Sequence, residues 1–198
     1  MLLKQILNES QNIDEWINYI RINCKKFIYD SNGLPLYRGV RCKNDKIFSI
    51  EKIRNDRSVA SISLNASKGL EQAMIDSGFK QTRSNSILAT GNKKIAKEFG
   101  EIYRIFISSD YDYLWNPHVD DYISLVYDWK VEYDRLMKDY DDGYDFWIDV
   151  KEEYIQSKRL IDAIASGVEI LIKADYYYTI NVNIANDKYH KIISDIEN

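Results

Sequence analysis

Apolar positions between Ile13 and Ile28 fall three and four residues apart, and Ile13, Trp16, Ile17, Ile20, Cys24, Phe27 and Ile28 mark one helix face. Asn12 stands where it can cap that helix, and Asp14 and Glu15 place acidic charge in its first turn. Ser31-Asn32-Gly33 ends the pattern, and Leu34 to Arg38 reads as a short buried strand. A helix is expected over 66–77, closed by Gly78. Ser86 to Thr90 reads as a strand, Gly91-Asn92 as a tight turn, and Lys93 to Phe99 as a helix that Gly100 stops. Ile102 to Ile107 is a further strand, followed by an aromatic loop through Tyr111, Tyr113 and Trp115 to Asn116-Pro117.

Helical spacing returns over about 119–139 and 146–165, with Asp141-Asp142-Gly143 between the two helices it predicts. Val168 to Ile172 and Tyr177 to Val182 then read as two strands around Ala174-Asp175, and a short polar helix closes the chain. No repeat or low-complexity linker divides the sequence. The expectation is one α+β domain over 1–198, with a helical N-terminal part at about 1–30 and a helical insert at about 110–165.

Composition narrows the function classes. At 198 residues and 45% hydrophobic content, one packed core is affordable in size. The net charge of −4 gives the whole surface no attraction for nucleic-acid phosphates. Between Asp110 and Asp149 there are twelve Asp or Glu against three Lys or Arg, so the insert is acidic and suits a cover for a pocket or a target contact. Cys24 and Cys42 form no C-x-x-C pair, which points to a reducing compartment. Lys4, Gln5, Asn8 and Glu9 interrupt the N-terminal apolar residues, so neither a signal peptide nor a membrane anchor is expected there, and a cytoplasmic protein is. Sixteen tyrosines and only two prolines fit AT-rich coding, as in many phages and low-GC bacteria.

No metal site is expected. His118 and His190 lack ligand spacing, and the Asp139 to Asp145 run has Gly143 out of register for a calcium loop. No P-loop, G-x-G-x-x-G or Ser-His-Asp order is present.

Three segments carry candidate chemistry. Arg38, in L-Y-R-G, puts a guanidinium at a strand end beside Gly39, an arrangement that suits a phosphate close to the backbone or, equally, an ion pair with a surface carboxylate. In S-I-L-A-T-G-N, the Thr90 hydroxyl and nearby N–H groups stand at a helix start, with Ser86 earlier on the strand and Asn92 as cap; an ordinary strand-to-helix turn has the same sequence. Glu169 interrupts the apolar run of V-E-I-L-I, which requires a partner, a cleft or an exposed strand end. Arg83, in R-S-N-S-I, and Arg54 and Arg57 before it add cations that can meet a phosphate or solvent.

In that order the segments resemble the arginine–serine–glutamate class of ADP-ribosyltransferases, over roughly residues 34–182. Arg38 resembles the arginine on the first core strand; L-A-T-G-N-K-K-I-A-K-E-F, with Thr90, Ala96 and Phe99, resembles the serine–threonine–serine strand and its helix; Glu169 resembles the late catalytic glutamate. The resemblance implies a split β-sandwich core with an N-terminal helix and a helical insert before the last strands. It implies a mono-ADP-ribosyltransferase of phage or toxin-like kind that consumes NAD, releases nicotinamide and modifies a protein or nucleic-acid acceptor, in the host cytoplasm if phage-encoded. Glu169 and Arg38 would be catalytic, and Arg38, Gly39, Arg83, Ser86, Thr90 and Asn92 would contact NAD. An aromatic from the Tyr111 to Trp115 loop would stack on nicotinamide.

Two departures shape the expectation. Ala89 stands where the family has its first serine, and Gly167 stands where arginine-modifying members carry a second glutamate and some others a glutamine. Arginine is therefore not the expected acceptor. The alternative is a degenerate, transferase-like binding or virion-associated protein.

Overall fold

The computed structural model describes residues 13–41, 46–54, 71–72, 74–76, 78–108, 110–117, 159–185 and 188–198. Arg57, His118, the helix expected over 119–139, the start of the one over 146–165 and most of the acidic insert lie outside these residues.

The apolar face of the first segment folds as two helices, α1 (Ile13–Asn23) and α2 (Lys25–Ser31), where the spacing predicts one. The break is at Cys24, whose ψ of 19° leaves the helical range, although Cys24 N–H still reaches the Ile20 carbonyl. The bend lets both helices cover the sheet. Trp16 stacks on Phe48 at 5.2 Å between centroids, and Phe27 meets Phe106 edge-on at 6.1 Å. Each such side chain, taken fully from water, stabilises the fold by about 1.5–3 kcal/mol. Cys24 is completely buried between them and burial pushes its thiol up, so it is a small apolar side chain and not a nucleophile.

The strands are β1 (Tyr37–Val40), β2 (Phe48–Lys52), β3 (Ile87–Thr90), β4 (Glu101–Ile107), β5 (Asp112–Trp115), β6 (Glu169–Lys173) and β7 (Tyr176–Asn181). They form one seven-stranded sheet in the order β2-β7-β4-β1-β3-β6-β5, with every pairing antiparallel. Helix α3 (Lys93–Glu98) follows β3, α4 (Leu160–Ser166) precedes β6, and α5 (Val182–Ala185) and α6 (Tyr189–Glu197) close the chain. The molecule is thus α+β, as the sequence predicts.

Two strands were not expected from the sequence. F-S-I-E-K at β2 has only two apolar residues, and its pairing is fixed instead by β7, where the Ser49 and Thr179 hydroxyls meet at 2.6 Å. The aromatic loop after β4 holds β5, which lies along β6 with Leu114 and Trp115 buried. The closing helix also differs from the polar one expected, because α6 buries Ile192, Ile193 and Ile196. Glu197 at its end neutralises Arg104, which is only 6% exposed on β4 and also donates to the Gly33 carbonyl at 3.4 Å.

The sheet has a seam. β1 and β3 share a single paired position, Tyr37 with Thr90, whereas β1 shares four with β4 and β3 shares four with β6. The seam separates a four-stranded part, β2-β7-β4-β1, from a three-stranded part, β3-β6-β5. Among the described residues no helix is long and apolar enough to cross a membrane, and no group of three or more His, Cys, Asp or Glu is placed to hold a metal ion.

Candidate functional site

Register brings two of the three segments together. Thr90, the last residue of β3, is the cross-strand partner of Glu169, the first residue of β6, and Thr90 also pairs with Tyr37 across the seam. Tyr37, Thr90 and Glu169 therefore stand in one row over three strands. Directly opposed residues of an antiparallel pair lie about 4.5–5.5 Å apart at Cα and point to the same face, so the Glu169 carboxylate emerges beside Thr90. Glu169 is half-buried at the sheet's end.

Arg38 lies one residue off this row, and strand alternation sends its side chain out of the opposite face. There its guanidinium carbon lies 5.8 Å from the centroid of the Tyr177 ring. The fork turns into the seam, where Nη1 donates to the Leu88 carbonyl at 3.4 Å. A side chain thus bonds a strand carbonyl where the β1–β3 ladder has already ended. Its Nε is buried with no hydrogen-bond partner. An orphaned cationic donor of this kind is costly, and an anionic group entering the seam would satisfy it.

Thr90 has a different task from the one its motif implies. Its hydroxyl donates to the Gly167 carbonyl at 2.5 Å and accepts from Asn92 N–H at 3.0 Å. The single proton is committed, so Thr90 cannot donate to a ligand. Its bond instead ties the end of α4 to the end of β3 and so fixes where β6 begins. Asn92 caps α3, its Oδ1 accepting from Lys94 N–H at 3.0 Å. The N–H groups that the turn was expected to offer to a ligand include these two, both taken up within the turn itself.

The glycines of the motifs serve packing. A Cβ on Gly39 would lie 1.9 Å from the Ala96 carbonyl oxygen, because α3 crosses β1 at backbone contact. The close approach that L-Y-R-G allows is therefore to a helix. Gly167 closes α4 in the left-handed region at φ 76°, its N–H bonded to the Ile164 carbonyl. A side chain there is disfavoured by the backbone whatever chemistry it would supply.

Ser86 and Arg83 stand apart from the rest. Ser86 precedes β3 at the end opposite Thr90, about 13 Å along the strand at ~3.3 Å per residue. It is fully buried and bonded to Asn85, in a polar loop where Thr82 and Ser84 share the Glu71 carboxylate. Lys173, at the same end of the sheet, donates to the Lys80 carbonyl at 3.1 Å. The structure therefore joins Thr90, Asn92 and Glu169, places Arg38 in the neighbouring seam, and leaves Arg83 and Ser86 at the far end. Arg54 is exposed beyond β2.

A cleft of about 930 Å³ lies elsewhere, between α2 and the start of α4, with Lys26, Asp30, Tyr113, Arg159 and Glu197 on its walls. In it, burial opposes the Asp30 charge, but hydrogen bonds from Lys26 and Tyr111 prevail and hold the carboxyl below its usual range. Tyr111, one of the aromatics in the loop expected to stack on nicotinamide, is committed to that bond and to the Phe27 ring at 6.1 Å.

Sequence reasoning missed the Thr90–Gly167 bond and the Leu88 carbonyl, because neither a backbone acceptor nor a partner 77 residues away leaves a mark on the local motif. Set against protein-family models, curated proteins and solved structures, the chain matches none of them.

Proposed function

We propose that this chain is an NAD-dependent mono-ADP-ribosyltransferase, displacing nicotinamide from NAD and passing ADP-ribose to a macromolecular acceptor. The observation that carries the reading is the pairing of Thr90 with Glu169. It puts a half-buried carboxylate against the turn of the L-A-T-G-N segment, one strand from the seam that holds Arg38. Two segments far apart in sequence thus meet, with Arg38 of the third on the neighbouring strand and on the opposite face.

The chemistry follows from the groups present. Loss of nicotinamide leaves positive charge on the ribose, and a fixed carboxylate stabilises that charge while holding the 2′-hydroxyl. Glu169 is assigned this role. Arg38 takes a pyrophosphate oxygen, a role supported by its unpartnered Nε. The backbone at Gly167 favours an active protein over the degenerate reading. Its lack of a side chain follows from the left-handed helix cap and needs no loss of catalysis to explain it.

Nicotinamide release from NAD, followed by chromatography, tests the proposal. The wild-type chain releases nicotinamide and Glu169→Gln lowers the rate by about 10²–10³-fold, the scale of losing one electrostatic stabiliser. An equal rate in the variant removes Glu169 from the mechanism.

A further inference from the structure

Glu169 has a cross-strand neighbour on each side. Thr90 opposes it from β3, and on the other side Trp115 of β5 pairs with Ile170, so one step further along that antiparallel pair Asn116 opposes Glu169. Pro117 follows Asn116, and the residue before a proline is held to extended backbone, which carries the alternation of β5 through Asn116. Tyr37, Thr90, Glu169 and Asn116 thus make one row over four strands, with their side chains on one face.

Hydrogen bonding separates the two neighbours. Thr90 has given its proton to the Gly167 carbonyl and has none for the carboxylate. Asn116 brings two N–H donors and is 2% exposed, so its carboxamide is paired within the protein and not by bulk water. The other positions around Glu169 offer less. Leu88 and Leu114 on the diagonals and Leu171 two residues along are apolar, and Gly167 has no side chain. Asn92, on the remaining β3 diagonal, is held through Oδ1 as the cap of α3. His118 lies outside the described residues.

We infer that Asn116 is a positioning residue for Glu169, donating an N–H to one carboxylate oxygen and leaving the other for the ribose; the inference rests on the NAD chemistry proposed above. An amide donor on a carboxylate makes a charge-assisted bond, stronger than one between neutral groups. It aims the carboxylate before charge develops on the ribose, where a freely turning side chain would first have to be ordered. Because the bond favours the ionised form, it also lowers the pH at which Glu169 takes up a proton. The other charged and titratable groups about the row are the exposed Lys93 and Lys94 at the start of α3, and Asp162 in the first turn of α4, bonded to Arg159. Tyr37, two strands away, is pushed up to about 12 by burial and stays neutral, and Arg104 beyond it is paired with Glu197. All of these are the same in a chain altered at Asn116 alone.

Asn116→Leu removes the donors at similar volume, and Asn116→Asp keeps the shape but sets a second carboxylate against the first. Nicotinamide release from NAD is measured with each full chain from pH 4 to pH 9. In Asn116→Leu, kcat falls about tenfold or more while KM for NAD holds, and the acid limb of kcat/KM moves up by about one pH unit. In Asn116→Asp the limb moves further, because the two carboxylates oppose each other's ionisation. A limb that stays in place in both variants, or a KM that rises as kcat falls, overturns the inference. The wild-type chain gives a reading that needs no change at Asn116. In its ¹⁵N-correlated spectrum the Asn116 side-chain N–H₂ signals shift with the midpoint of the acid limb, and Glu169→Gln abolishes the shift. Wild-type signals that do not move with pH overturn the inference even where both Asn116 variants fail to fold. Those outcomes leave the NAD chemistry standing, whereas a wild-type chain that releases no nicotinamide overturns both.

Discussion

The Thr90 hydroxyl and the Gly167 carbonyl, 77 residues apart, are joined by a hydrogen bond of 2.5 Å. Thr90 is 5% exposed, and the bond crosses from the end of β3 to the cap of α4, two residues before Glu169. The motif threonine therefore acts on the position of the glutamate through the backbone.

Thr90→Val keeps the shape of the side chain and removes both hydrogen bonds. It leaves the Gly167 carbonyl and the Asn92 N–H without their partner, at a cost of about 1–3 kcal/mol. Thr90→Ser restores the hydroxyl and recovers most of that loss. Urea unfolding of the three proteins checks this, and equal midpoints for the valine and wild-type chains contradict it.

Gly39→Ala forces a Cβ to 1.9 Å from the Ala96 carbonyl oxygen, backbone against backbone, so α3 must move off β1. The expected loss is at the upper end of overpacking, about 3 kcal/mol. Gly78 provides the contrast. It has φ 81° but nothing within 4 Å of an added Cβ, so Gly78→Ala costs only the left-handed backbone, about 1–2 kcal/mol. Thermal melting in parallel separates the two, and equal shifts count against helix contact as the reason for Gly39.

Asp30 predicts an acid limb of stability. Lys26 and Tyr111 hold its folded carboxyl below the unfolded value of about 3.9, so the folded state binds fewer protons there. The contribution is fully present above the unfolded value and is lost as pH falls through the lower folded one. Melting temperatures taken from pH 7 down to pH 2 should fall less steeply below pH 4 in Asp30→Asn than in the wild type. Parallel curves would show that the Lys26 and Tyr111 bonds do not act on this charge.

Apolar spacing made α1, β3, β4, β6 and β7 legible, because each carries its own buried stripe or run, while the Asn92 cap and the Gly100 stop marked α3. β2 and β5 were not, since F-S-I-E-K and D-Y-L-W become strands through the neighbours they pair with, β7 and β6. At the site, the motifs marked the segments holding Arg38, Thr90 and Glu169 but could not assign tasks within them. Gly39 reads as room for a phosphate until α3 is seen against it, and Ser86 reads as an NAD contact alongside Thr90 until the strand puts them at opposite ends. Local sequence records which atoms a residue brings; which of them remain available depends on chain folded from elsewhere.

The single Tyr37–Thr90 pairing gives the sheet a direction of weakness. Separating β4 from β7 breaks five paired positions and separating β3 from β6 breaks four, but parting β1 from β3 breaks one, together with the Arg38 bond to Leu88. Backbone pairing is thinnest along that line, and the Arg38 side chain and helix α3 are what span it.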